Sequence, residues 1–292
     1  MSNYSFEIVT DTCSNLSDEL IERYEINIIP MIYIVNGEER LSYVKTEKTD
    51  LQKYYDMLRA KVPMTTSCIP RETCDEVFDG ILSSGKDLIY MGFSSALSAT
   101  CENARASLTD LQKKYPERKI YCIDTLSASL GQGRLVTYAA EHRESGEDID
   151  TVAKWAEDNK KKIIHLFTVD TLSYLYRGGR VKKTSYLLAS TFNIKPIMHV
   201  DDEGRLTAIG KVIGRKKSLD DLARRTAEEI VDPEKQTIYI GHGDCIEDVE
   251  FLISRLNERV KVKDIVVNYI DLVVGTHSGP GTVAIFFLGE KR

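Results

Sequence analysis

Ser94, Ser95, Ser98 and Thr100 place four hydroxyls within seven residues, directly after the apolar run Asp87-Leu-Ile-Tyr-Met-Gly92. Such a run reads as a buried parallel strand, and in open α/β sheets ligands sit beyond the carboxyl ends of the strands. A helix opening at this loop presents unpaired N–H groups and a partial positive charge, and hydroxyls add donors without adding charge. The chemistry expected there is capture of an anionic head group, a carboxylate above all. Simple N-capping is the competing reading, because Ser and Thr are common caps. A second cluster, Thr65-Thr66-Ser67, precedes another helical segment and carries the same two readings.

The segment Gly275-Thr-His-Ser-Gly-Pro-Gly281 reads as a stiff turn whose backbone can approach a ligand. His277 inside it can donate to a carboxylate in either protonation state, with Ser278 beside it. Tyr174-Leu-Tyr-Arg177-Gly-Gly-Arg180 either brings a guanidinium to an anion or ends a helix with a basic last turn. His142, His165, His199 and His242 read as ordinary surface or core residues. The chain has no Gly-x-x-x-x-Gly-Lys-Ser/Thr phosphate loop, no Gly-x-Gly-x-x-Gly after a strand and no Gly-x-Ser-x-Gly elbow. No catalytic residue, cofactor or metal is therefore expected.

The elements that must hold these residues alternate in the first half of the chain. Strands are expected over residues 6–10, 28–35, 87–92 and 119–124. Helices are expected over 17–24, 49–60, 71–83, 100–114 and 127–144, with 65–70 a loop. That alternation predicts a doubly wound parallel sheet. The polar stretch Ser145-Gly-Glu-Asp148 reads as a linker, giving units of 1–148 and 149–292. In the second unit a helix at 151–162 and a strand at 163–168 lead into strand-like runs at 194–200, 206–213, 236–240, 263–269 and 282–288. Two helices, 219–230 and 246–256, interrupt them, and Asp201-Asp-Glu-Gly204 reads as a hairpin turn. The second unit is thus expected to be a mixed α+β domain.

With 292 residues, 42% hydrophobic and 29% charged, the chain has an ordinary globular composition and the length of about two domains. A net charge of −6 disfavours nucleic acid and anionic membranes as partners, although Arg215-Lys-Lys217 forms a local basic strip. The six cysteines show neither Cys-x-x-Cys pairing nor zinc-finger spacing. Residues 1–6 lack a basic region followed by an apolar stretch, and no apolar run approaches the roughly 18 residues of a membrane span. A cytoplasmic protein with reduced thiols is the expectation.

In order and spacing, these segments resemble the DegV family of fatty-acid-binding proteins over nearly the whole chain. The resemblance rests on Ile8-Val-Thr-Asp11-Thr-Cys-Ser14, Thr66-Ser67, Ser94-Ser-Ala-Leu-Ser-Ala-Thr100, Leu175-Tyr-Arg-Gly-Gly-Arg180, Lys195-Pro-Ile197 and the 275–281 segment. It implies two domains with a long-chain fatty acid buried between them. It also implies a carboxylate met by Thr66, Ser95 and His277, with Ser67, Ser94, Ser278 and Arg180 in the same region. Some members are the lipid-carrying subunit of a bacterial fatty acid kinase. There a separate ATP-binding subunit phosphorylates the bound carboxylate, giving an acyl phosphate for phospholipid synthesis. The chain departs from the family pattern at Ala96 and Ala99, where glycines are usual. It also departs at Cys68-Ile69-Pro70, and at Ile213, where many relatives carry arginine.

Burying an acyl chain is favourable by roughly 0.8 kcal/mol per methylene, so about fifteen would supply roughly 12 kcal/mol gross. Association and ordering costs offset much of this, and an unpaired buried carboxylate would cancel the rest. Hydroxyls with His277 answer that need and leave an oxygen free to attack a phosphoryl donor. A non-catalytic fatty-acid carrier working with a kinase is the leading expectation. The alternative is an acyl-transfer or hydrolytic enzyme with Ser95 as nucleophile and His277 as base. A third reading is a sensor that docks another protein through the 215–217 strip.

Overall fold

Thirteen strands are distributed over three sheets among the described residues, which are 4–45, 47–182 and 193–292 of the computed structural model. In chain order they are β1 (Phe6–Asp11), β2 (Asn27–Ile29), β3 (Ile32–Val35), β4 (Glu38–Leu41), β5 (Met64–Ser67), β6 (Asp87–Gly92), β7 (Ile120–Asp124), β8 (Ile163–Thr168), β9 (Ile194–Val200), β10 (Leu206–Ile213), β11 (Thr237–His242), β12 (Asp264–Tyr269) and β13 (Val283–Leu288). Residues 1–3, part of the segment read for a signal peptide, lie outside the described residues.

The N-terminal sheet is parallel, in the order β2-β1-β6-β7. Strand alternation sends Ile8, Ile89 and Met91 to one face and Val9, Leu88 and Tyr90 to the other. Helices Arg71–Ser83 and Thr100–Lys114 cover the second face, and helix Leu130–Glu144 covers the first. Both faces are covered, so the sheet is doubly wound, as expected. Helix Ile149–Asn159 also packs on the first face, through Ile149, Val152, Ala153 and Ala156. The linker reading had placed this helix in the second unit. A short polar connection between two helices is not a domain boundary when both apolar stripes meet one sheet.

The C-terminal sheet is mixed, in the order β10-β9-β8-β13-β11-β12, with β11 and β12 the parallel pair. Helices Arg215–Glu229 and Ile246–Asn257 pack on one face through Leu219, Leu222, Val249 and Leu252. Its other face, with Phe167, Met198 and Phe286, turns towards the parallel-sheet unit.

Three expectations need correction. The run read as one strand over 28–35 is two strands in different sheets, with Pro30 between them lacking the N–H a continuing ladder needs. Residues 64–67, which overlap the stretch 65–70 read as a loop, form β5, which pairs with β3 so that Tyr33 faces Thr66. The 275–281 turn begins as helix: Leu272–Ser278 is helical, and only Gly279 onward turns. All six cysteines are free. Among the described residues no helix is long and apolar enough to cross a membrane, and no group of three His, Cys, Asp or Glu side chains is placed to hold a metal.

Candidate functional site

Between the two sheets lies a cavity of about 370 Å³, within the usual range of roughly 300–1,000 Å³ for small-molecule pockets. Its walls are mainly apolar: Phe93, Leu97, Val273 and Val274 meet Phe167, Leu206, Ala284 and Phe286 across the gap. Polar groups gather on Thr66, Ser67, Ser98, Arg180, His277 and Ser278. An apolar space with a small convergent polar set suits an amphiphile with one anionic end.

The polar set is assembled from four separate segments. Alternation in β5 gives Thr66 its direction, and its hydroxyl shares a 2.7 Å hydrogen bond with Nε2 of His277. His277 occupies the last turn of helix Leu272–Ser278, whose N-cap Asp271 accepts from the Val274 N–H at 2.8 Å. The other oxygen of Asp271 is sealed from solvent and unpartnered, and burial raises this carboxyl to about 7. Tyr54 and Tyr55, from helix Leu51–Arg59, tie this segment to the N-terminal unit by donating to the carbonyls of Leu272 and Ile270 at 2.5 and 2.9 Å.

Arg180 follows the short helix Ser173–Arg177, where Gly179 takes the left-handed conformation at φ 74°. Its Nε donates to the Leu97 carbonyl at 3.2 Å across the gap, while Arg177 is exposed. The structure thus combines both sequence readings of this motif: a basic helix end, and a guanidinium delivered to the site. Helices Ser173–Arg177 and Leu272–Ser278 also interlock. A Cβ on Gly178 would fall 2.2 Å from Nδ1 of His277, and one on Gly279 would fall 2.4 Å from the Tyr174 ring. Each segment supplies a ring and leaves the space for the other's.

Burial, and then the neighbouring Arg180, hold the His277 imidazole down at about 4, so it is neutral at pH 7. Burial also lowers Arg180 from its ordinary value, but a guanidinium stays charged at neutral pH. The site therefore offers one fixed cation, a neutral imidazole and several hydroxyls. The Ser278 hydroxyl is buried and has no partner among the described residues. A buried hydroxyl without a partner, facing a cavity, is a donor waiting for an acceptor.

The loop that dominates the sequence contributes differently from what was expected. Ser94 is fully buried, and its hydroxyl donates to the Gly204 carbonyl at 2.9 Å, joining the loop to the hairpin turn of the other unit. Ser95 is exposed and does not line the cavity. The helix opens only at Thr100, with Ala99 as an N-cap that makes no side-chain bond. Ser98, one of the four hydroxyls but not among those the resemblance brings to the carboxylate, is the loop's hydroxyl on the cavity wall, with Leu97 and Ala99 beside it. Nor does the structure assemble Ser95 with His277 as nucleophile and base, since the imidazole is engaged with Thr66. Sequence reasoning also missed the anchor of this loop. The buried Asp11 carboxylate accepts from the Phe93 N–H at 2.8 Å and the Tyr90 hydroxyl at 3.1 Å. A carboxylate at the end of an otherwise apolar strand is the signal that marks it.

Comparison with known proteins agrees with this architecture. Residues 5–290 match a family described as uncharacterised protein, DegV family. A DegV domain-containing protein of Clostridium perfringens is 39% identical over 287 residues, covering 98% of each chain. A DegV family protein of Thermus thermophilus, described for its fatty acid binding, superposes with a TM-score of 0.85 at 26% identity, over 98% of this chain and 99% of that one. A fatty acid binding DegV family protein of Streptococcus agalactiae gives a TM-score of 0.85 at 25% identity, over 99% of this chain and 100% of that one.

Proposed function

This chain belongs to the DegV family, and from that premise we propose that it binds a long-chain fatty acid in the inter-sheet cavity with the carboxylate at Arg180, Thr66, His277 and Ser278. The observation that carries the reading is the buried Ser278 hydroxyl, without a partner among the described residues, lining the same otherwise apolar cavity as the Arg180 guanidinium. Arg180 balances the carboxylate charge, and the hydroxyls donate to one of its oxygens. Among the described residues lining the cavity no nucleophile is paired with an activating base, which supports reading the protein as a carrier. We further propose that it presents the carboxylate to an ATP-dependent kinase subunit. A carboxylate oxygen then attacks the γ-phosphorus of ATP, the bond to the leaving ADP breaks, and an acyl phosphate forms. A site of hydroxyls and one guanidinium supports this step, because it leaves an oxygen uncommitted.

The test of binding is native mass spectrometry of the protein purified from a bacterial host. A fatty-acid adduct is expected, and a clean ligand-free mass with no uptake on titration would overturn the reading. For the kinase step, the lipid-loaded protein is incubated with ATP and the ATP-binding subunit, and acyl phosphate is trapped with hydroxylamine. Lipid binding without hydroxamate would leave a carrier and remove the kinase.

A further inference from the structure

His165, buried on β8, borders two cavities. One is the inter-sheet cavity described above. The other, of about 270 Å³, is bordered also by Ile164, Leu166, Ile209 and Arg292. Val200 is shared between the two in the same way. The pairing of Leu166 with His199 sets Val200 next to His165 on the neighbouring strand β9. The two side chains thus form a partition. The imidazole is wedged in place: Nδ1 donates to the Ile163 carbonyl at 2.9 Å, and the ring meets Phe286 edge-on with centroids 5.3 Å apart. Towards helix Leu130–Glu144 it fills the space that Gly131 leaves. A Cβ there would fall 2.2 Å from Nε2 of His165 and 2.9 Å from the Phe286 ring. Burial, and then Arg292, hold the imidazole well below its ordinary range, so a neutral ring faces the cavity.

The partition lies away from the polar end. Thr282, whose hydroxyl bonds to the Ser278 and Gly279 carbonyls at 3.0 and 2.8 Å, immediately precedes β13. Phe286, paired with His165, is four residues further on, about 13 Å along the strand. We propose, resting on the fatty-acid reading of this cavity, that His165 with Val200 is the stop that sets the longest acyl chain the protein accepts. Each methylene added short of the stop is buried, and affinity rises with length. Once the terminal methyl reaches the imidazole, a longer chain must displace a ring held by Ile163, Phe286 and the backbone at Gly131, and affinity falls. The second cavity is the space the longer chain needs. Removing the ring joins the two cavities, whereas a methyl group at position 131 pushes both rings into the first.

The delipidated full-length protein is offered an equimolar mixture of myristic, palmitic, stearic, arachidic and behenic acids, and native mass spectrometry reads which are bound. The wild type should show one favoured length. In His165→Ala that maximum should move to a longer acid, with the ratio of the longer to the wild-type favourite rising about tenfold, as two further buried methylenes give. His165→Leu keeps the bulk without the nitrogens and should keep the wild-type maximum, and Gly131→Ala should move it to a shorter acid. Ratios within one mixture are read from the folded, loaded fraction, so a general loss of stability does not imitate the shift. Where His165→Ala folds poorly, Val200→Ala opens the partition by less and should move the maximum in the same direction. An unmoved maximum in the alanine variants, a longer acid in Gly131→Ala, or a shift in His165→Leu would overturn the stop. Uptake with an unmoved maximum removes the stop alone, whereas a wild type that takes up none of the acids removes the fatty-acid reading with it.

Discussion

Two hydroxyl-bearing segments border the cavity, and they divide their work in the reverse of what their composition suggests. The loop 94–100 has the denser cluster, yet Ser94 binds the Gly204 carbonyl, Ser95 faces solvent, and Thr100 accepts from the Ile69 N–H. Strand β5 has the sparser one, yet its Thr66 meets His277 directly. A hydroxyl serves a ligand only where the backbone aims it into the cavity and no internal acceptor takes its proton first. In the loop Ser94 fastens the two units together, Thr100 holds Ile69 within the first unit, and Ser98 lines the cavity. On helix Leu272–Ser278 the Ser278 hydroxyl has no partner among the described residues, and at β5 the Thr66 hydroxyl is shared with His277.

The comparison is tested hardest at Arg180, the cation on the ligand side. Arg180→Met should weaken fatty-acid binding by about 2–5 kcal/mol, because the carboxylate is left buried and unpaired. Competition against a fluorescent fatty acid reads this, and a change below about threefold would place the carboxylate elsewhere. The next effect is on stability. His277 sits at about 4 in the fold against an ordinary 6.5. The unfolded chain therefore binds a proton in that window that the folded chain does not. Stability present above pH 6.5 is lost as pH falls towards 4, by about 3 kcal/mol from this residue. Urea midpoints at about pH 7 and 4.5 should converge in His277→Gln by that amount; an unchanged gap would exclude a buried neutral imidazole.

Thr66→Val keeps the shape and removes the hydroxyl, which should cost about 1–2 kcal/mol of affinity by the same competition assay. On the loop the outcome should invert. Ser94→Ala should lower the unfolding free energy by about 1 kcal/mol and leave affinity within twofold, since it removes a fastener between units. Ser95→Ala should change neither. A Ser95→Ala protein that loses binding would restore the loop as the carboxylate wall.

The alternating strands and helices of the first unit were legible because each apolar period survives into a buried face: Ile8 and Val9 fall on opposite sides of the sheet as a period of two requires. His277 and Arg180 stood out as candidates from their glycine-rich surroundings, and both line the cavity. The direction of individual hydroxyls was not. Whether Ser94 or Ser98 faces the cavity depends on where the helix starts, and Ala99 ends the loop without a side-chain cap to announce it. The β5 strand was hidden because Met64-Thr-Thr-Ser67 has little apolar content and is held by pairing with β3, a contact remote in sequence. The helical start of the 275–281 segment was hidden by its glycines. Gly275 is there because Tyr55 leaves no room for a side chain, since a Cβ would fall 2.6 Å from its hydroxyl. The apolar walls come from both units, so no local window contains them.

The reciprocal fit of Gly178 against His277 and of Gly279 against Tyr174 has an evolutionary consequence. A methyl group at position 178 displaces the imidazole, and a smaller ring at 174 empties the space that Gly279 keeps open. Neither segment can drift alone without moving the histidine off Thr66. Substitutions in the two are therefore expected to be non-additive, and related sequences should change them as a pair. Thr66 and the space left at Gly178 hold the histidine through protein contacts, so the ordering of this ring belongs to folding.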